Sequence, residues 1–348
     1  MASQLVSRGH EVLFLVDDKR QAPVTRWLYG HLSDLSVRVA GTVAAPAVGW
    51  VRDGLGRSVT RDEHSGITHL VSVLPQNMLR RTIGLFRPDV VVVNSIERWA
   101  WRLVHTICQQ MGVRDILYVR EEDSLRHLDT EAVPDVLVAN TPSLAQSLRA
   151  KGFRCSFIPS VVDTSVTHTS TTRIVALAIN PIPTKGGDIV WRVARELPDI
   201  PFVMQESWPL KGDDLARVEA EAGALSNVEF RRSVPPGPSL YKDARVLLVP
   251  YRVDSRPRVI LEAQANGIPV IAGDTPALAG AVGAGGLLVP LEDVGAWVEA
   301  IRSVWADEAL YGTLVEEASA HSRRLEVDPS AVAVQFESLL SAAVPRST

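Results

Sequence analysis

The hydrophobic positions of this chain come in short unbroken runs. They occupy residues 11–16, 89–93, 115–119 and 135–139, then 174–178, 201–204, 246–249, 269–272 and 287–289. A strand with one wet face alternates apolar and polar residues. An unbroken run instead implies burial on both faces, as in a parallel sheet covered by helices. Helical patterns stand between the runs, as through Val190, Trp191 and Leu197. This strand–helix alternation predicts doubly wound α/β domains.

The pattern breaks at residues 164–172, which read Thr-Ser-Val-Thr-His-Thr-Ser-Thr-Thr. So many hydroxyls in a row predict an exposed linker that acts as a hinge. The chain then divides into a first domain over residues 1–163, the linker, a second domain over 173–327 and a final segment over 328–348. A helix over residues 331–344 is expected there, crossing back to the first domain. A length of 348 residues agrees with two cores rather than one.

Composition adds mostly exclusions. A net charge of -4 gives no electrostatic case for nucleic acid. Cys108 and Cys155 are too few for a disulfide framework and lack metal-ligand spacing, so both read as buried apolar residues in a reducing compartment. The sequence shows no signal peptide and no apolar stretch of membrane-spanning length, which predicts a cytoplasmic protein. Residues 78–86 are basic and amphipathic, and read either as a solvated surface helix or as a loose contact with an anionic membrane.

Two stretches carry candidate chemistry. Asn180-Pro181-Ile182-Pro183-Thr184-Lys185-Gly186-Gly187-Asp188 follows the first strand of the second domain and opens a helix. Glycines let backbone approach a ligand, a helix N-terminus attracts phosphate, and Lys185 adds a charge. A solvated lysine in a tight turn is the plainer reading. In the second stretch, Asp254 stands in a loop after the run 246–249, and Glu262 lies eight positions on, in an apolar helical segment ending at Gly267. Carboxylates among apolar residues need a partner, and loops at the carboxyl ends of strands are where open α/β sheets bind ligands. The plainer readings are a helix N-cap for Asp254 and a buried ion pair for Glu262.

Between these stretches stand Val228-Glu229-Phe230-Arg231-Arg232 and Leu240-Tyr241-Lys242-Asp243-Ala244, and Gly285-Gly286-Leu287-Leu288-Val289 follows them. As an ordered set over residues 173–310, they resemble the donor half of retaining GT-B glycosyltransferases of family 4, with their E-x(7)-E signature. Residues 7–12, 87–91 and 157–163 resemble first-domain segments of the same family. The resemblance implies a GT-B fold, two Rossmann-like doubly wound domains facing across a cleft, the first on the acceptor side and the second holding the donor. It implies retaining transfer from a nucleoside-diphosphate sugar to an acceptor: a small molecule, a glycan or a lipid-linked glycan. Glu262 would bind ribose and Asp254 would act at the sugar. Lys185, with Gly186 beside it, would neutralise the diphosphate. The backbone around Ser255 and Arg258 would hold the distal phosphate, with Arg256 or Arg258 either compensating for the amide that Pro257 lacks or standing at the surface, and Arg232 would stand near the nucleobase. No cofactor and no metal is expected. In this alignment the run 11–16 is the family's second strand, so the first domain is expected without its first strand.

The chain also departs from the family. Asn180 stands where an arginine is usual, Asp254 replaces a glutamate, and Pro257 replaces a glycine and removes an N–H. Arg120 follows the strand at 115–119 where a histidine is usual; it reads either as a catalytic contact to sugar or phosphate or as a strand-end ion pair. Two other classes of function stay open. One is an inactive nucleotide-sugar-binding homologue that partners an active transferase. The other is a nicotinamide-dependent oxidoreductase, although no G-x-G-x-x-G fingerprint is present.

Overall fold

A computed structural model describes residues 1–17, 60–64, 67–72, 75–94, 98–120, 128, 131–233, 237–252 and 256–343. The first domain contributes α1 (Ala2–Ser7), β1 (Leu13–Asp17), β2 (Thr60–His64), β3 (Ile67–Ser72), α2 (Pro75–Phe86), β4 (Val90–Asn94), α3 (Arg98–Met111), β5 (Arg114–Val119), β6 (Val136–Ala139), α4 (Pro142–Ala150) and β7 (Cys155–Phe157). Its strands fall into two sheets, β1-β3-β2 and β4-β5-β6-β7. Within the second, every pairing is parallel. β1 and β4 share no ladder, and each leaves an apolar side chain exposed, Phe14 and Val92. The antiparallel strand β2 reads Thr-Arg-Asp-Glu-His and carries no apolar signal, so the pattern of runs does not reveal it.

The second domain runs β8 (Val175–Ile179), α5 (Gly187–Glu196), β9 (Phe202–Gln205), α6 (Gly212–Gly223), β10 (Val228–Arg231), β11 (Ala244–Val249), α7 (Arg258–Ala265), β12 (Val270–Gly273), α8 (Pro276–Val282), β13 (Gly286–Val289), α9 (Val294–Ala306) and α10 (Glu308–Ser322). Its sheet is fully parallel in the order β10-β9-β8-β11-β12-β13. Strand residues of opposite parity feed two cores. Ala176, Ala178, Val246 and Leu248 pack on one face, and Val175, Leu177, Ile179, Leu247 and Val249 on the other. This two-sided burial is the physical cause of the unbroken apolar runs.

The hydroxyl-rich segment is less exposed than its composition predicts. Thr164–Thr167 form a 3-10 helix, and Thr167 is buried. Asn266 stitches the segment to the second domain, donating to Thr167 O at 3.1 Å and accepting from Thr169 N at 2.7 Å. The last helix, α11 (Pro329–Ala343), lies on the first domain. Val332 and Phe336 pack with Leu5, Ile116, Val138 and Ile158, and Glu337 pairs with Arg8 and His10.

Candidate active site

The sheet order of the second domain fixes where a ligand sits. From β8 the chain winds outward to β9 and β10, then returns to β11 and winds the other way. β8 and β11 therefore flank the topological switch point, where crevices open at the carboxyl ends of such sheets. The lysine–glycine loop leaves β8, and the loop holding Asp254 leaves β11.

The two loops are fastened together. Gly186 adopts φ 68° and caps α5 in the left-handed region. A Cβ there would lie 2.0 Å from Pro250 O, and one on Gly187 would lie 1.9 Å from Pro181 O. On the side where a Cβ would stand, these glycines admit neighbouring protein backbone. Arg252 completes the junction: its guanidinium donates to Pro183 O at 2.9 Å and grips Asp188 at 2.6 and 2.8 Å. It also reaches Glu292 at 2.9 Å. The Lys185 ammonium lies 4.1 Å from the centroid of the Tyr251 ring, within cation–π range.

Asn180 is fully buried with φ 48°, a left-handed conformation that Asn tolerates better than Arg does. Its Oδ1 accepts from Ser207 N at 2.8 Å, tying the end of β8 to the turn after β9, while its Nδ2 has no partner. Glu262 is buried on α7, and its Oε2 accepts the Tyr241 hydroxyl at 2.7 Å. Among the described residues, Glu262 is partnered by a phenol and not by the cation an ion pair requires. Asp254 and Ser255 lie outside the described residues.

Arg256 and Arg258 stand at the start of α7 in a cleft between the domains. Asn140 and Ser160 line it from the first domain, and Arg324 from the strap between α10 and α11. Arg256 pairs with Glu326 at 3.2 Å. Arg232 faces elsewhere, pairing with Glu206 at 3.2 Å and Glu219 at 3.1 Å. Arg120 is exposed at the end of β5. There its charge counters the rise that burial imposes on the Tyr118 phenol. Neither residue is among those lining the cleft. Among the described residues, no group of three or more His, Cys, Asp or Glu side chains is arranged to hold a metal ion. None of the described helices is long and apolar enough to cross a membrane.

Sequence reasoning missed Tyr241, Tyr251, Arg252, Arg324 and Glu326 as parts of this region. Tyr241, Tyr251, Arg252 and Glu326 each act through a partner distant in sequence, whereas Arg324 pairs locally with Glu326, and only the bulk of Tyr241 and Tyr251 next to apolar runs offered a signal.

Residues 201–307, which include β9, β10 and β11 and reach through α9, match the family model described as glycosyl transferases group 1. The D-inositol 3-phosphate glycosyltransferase of Mycolicibacterium smegmatis is 30% identical over 325 residues, covering 78% of this chain and 74% of that protein. The enzyme of the same name from Mycolicibacterium paratuberculosis is 31% identical over 239 residues, and the match spans 54% of its length. Among solved structures, Anabaena HepE in complex with UDP superposes with a TM-score of 0.69 at 15% identity, over 96% of this chain and all of that one. Sucrose-phosphate synthase from Thermosynechococcus elongatus gives a TM-score of 0.67 at 17% identity, over 82% of this chain and 86% of that one. These neighbours share the GT-B fold, and the nicotinamide-dependent oxidoreductase reading has no support among them. With its two Rossmann-like domains, its switch-point loops and its sequence relatives, the chain belongs to the group 1 glycosyltransferases.

Proposed function

We propose that the chain is a retaining family 4 transferase that moves a sugar from a nucleoside-diphosphate sugar to a hydroxyl of a small molecule, a glycan or a lipid-linked glycan. The observation that carries this reading is the junction at the switch point, where the Lys185 loop is fastened to residues 250–252, two positions before Asp254. Lys185 neutralises the leaving diphosphate, as developing charge demands. Amides at the start of α7 add to it through the helix dipole. Glu262 accepts the ribose hydroxyls with the oxygen that Tyr241 leaves open, and Asp254 acts beside the sugar. The departing phosphate oxygen itself takes the acceptor proton, so no side-chain base is needed. UDP in the HepE structure and the transferase names of the relatives support the donor class.

The test is release of UDP from UDP-sugars, with the anomeric configuration of the product followed by NMR. Inverted product sinks the retaining mechanism. One observation favours a second reading, a donor-binding homologue without turnover: Asn180 is wholly buried and brings no charge where the family has an arginine. Tight UDP binding with no release from any donor decides for that reading. The hydroxyl-rich segment acts as a hinge in either case, and small-angle scattering should report compaction on saturation with UDP.

A further inference from the structure

The strap between α10 and α11 places an unusual charge cluster in the interdomain cleft. Oε1 of Glu326 accepts from Arg324 at 2.7 Å and from Arg256 at 3.2 Å, so one carboxylate oxygen serves two guanidinium groups. The exposures are unequal. The side chains of Arg256 and Arg324 are 14% and 16% exposed, whereas that of Glu326 is 56% exposed. The cations are therefore the fixed, costly partners, and the anion is the one that leaves easily. Arg324 is further held by donating to His321 O, and burial together with the neighbouring Arg256 disfavours its charge. The strap itself is pinned between the domains, because Val327 packs with Val162 and Leu261.

Among the described residues the cluster is short of negative charge: with Arg258 beside it, three guanidinium groups line the cleft, and Glu326 pairs with two of them. Partly buried positive charge without a full complement of partners costs stability unless an anion arrives. A separate observation also points to a ligand. Asn140, only 6% exposed, lines the same cleft from the first domain, and its Oδ1 has no hydrogen-bond partner. A molecule with an anionic group toward the arginines and a hydroxyl toward Asn140 satisfies both sides.

We propose that Arg324 and Arg256 form a two-guanidinium clamp for a phosphate of the cleft's ligand, and that Glu326 is the internal anion which that phosphate displaces. The proposal rests on the reading of a diphosphate donor, and it adds residues from outside the lysine loop and α7. Arginine's planar fork suits phosphate oxygens and is not matched by lysine. Glu326 holds the fork ready and screens like-charge repulsion between the two arginines, at the expense of competing with the incoming phosphate.

Calorimetry of the full chain with inorganic pyrophosphate and with UDP tests this. Glu326→Gln should tighten both ligands by about two- to fivefold, the worth of an exposed ion pair. Arg324→Gln should weaken both by about tenfold or more, with Arg324→Lys in between. The gain from Glu326→Gln should vanish when combined with Arg324→Gln. Unchanged or weaker binding in Glu326→Gln overturns the displacement, and unchanged binding in Arg324→Gln overturns the clamp. If Lys185→Ala weakens UDP binding while the Arg324 variants do not, the clamp alone fails. If the unaltered chain binds neither ligand, the donor reading falls with it. Thermal midpoints within a degree or two of each other establish that the variants fold.

Discussion

Tyr241 donates its phenolic hydrogen to Oε2 of Glu262 at 2.7 Å, with the phenol wholly buried and the carboxylate nearly so. Burial, followed by the negative charge of Glu262, raises the pKa of Tyr241 well above its ordinary value, so the phenol remains a donor throughout the physiological range. Tyr241→Phe removes that donor and leaves a buried carboxylate oxygen unpaired. We expect a loss of on the order of 1–3 kcal/mol in unfolding free energy, read as a lower urea midpoint at unchanged slope. An unchanged midpoint would mean that water replaces the hydroxyl.

That pair illustrates what the sequence can and cannot reveal. The strands of the second domain are legible because both sheet faces are buried, which leaves unbroken runs such as residues 174–178 and 246–249. Lys185 and Glu262 are legible because each is out of character with its neighbours. Their partners are not. Tyr241 looks like one more large residue beside a strand, and Arg252 like any loop arginine, until the fold brings Asp188 to it. The glycines at 186 and 187 are legible as places of close approach, but their approach to Pro250 and Pro181 leaves no mark in the sequence. β2 was invisible because its five residues are polar, and its place is set by pairing with β3.

Lys185 offers the most direct test of the lysine loop. Its ammonium rests against Tyr251, a buried ring that fixes the side chain near the switch point. Lys185→Ala should weaken UDP binding by about 1.5–3 kcal/mol, the range for hydrogen bonds to charged groups. Lys185→Arg should recover only part of the loss, because the planar fork cannot stack and reach in the same geometry. Equal affinity of Lys185→Ala and the unaltered chain in calorimetry would remove Lys185 from the site.

Two glycines with similar backbone conformation should respond very differently to alanine. Gly186 has φ 68° and would place a Cβ 2.0 Å from Pro250 O. Gly212 has φ 55° and nothing within 4 Å. Gly212→Ala should therefore cost only the left-handed penalty of roughly 1–2 kcal/mol. Gly186→Ala should cost clearly more and loosen the lysine loop, lowering UDP affinity as well as the urea midpoint. Equal losses at the two positions would show that the contact with Pro250 relaxes freely.

The two thiols should be silent in the folded chain. Cys108 is wholly buried, and burial, reinforced by the charge of Asp115, pushes its pKa up to about 12. Burial likewise takes Cys155 to about 11. The reactive thiolate is therefore scarce at neutral pH in the native state. Iodoacetamide at pH 7.5 should label neither residue natively and both in denaturant, as read by intact mass. Native labelling of either thiol would contradict its burial.

Glu206 should give the chain part of its sensitivity to acid. Its side chain is 1% exposed at the end of β9, and burial alone would raise its pKa. The N–H groups of Leu210 and Ser233, each at 2.5 Å, and the guanidinium of Arg232 outweigh burial and hold the pKa below the ordinary 4.5. Between its native and unfolded pKa values the native state thus binds fewer protons than the unfolded chain. Stability from this group is complete above pH 4.5 and drains away as pH falls through the lower native value. Glu206→Gln cannot titrate, and its amide presents an N–H toward donors that need an acceptor. The variant should be less stable than the unaltered chain at pH 7, and the gap should narrow steadily below pH 4.5. Asp188, Glu229 and Glu326 are also held below their ordinary values, so both proteins lose stability in acid and only the difference between them reports Glu206. Urea unfolding of both proteins between pH 7 and pH 3 measures that difference. A gap that stays constant with pH would mean that the native fold does not shift the pKa of Glu206.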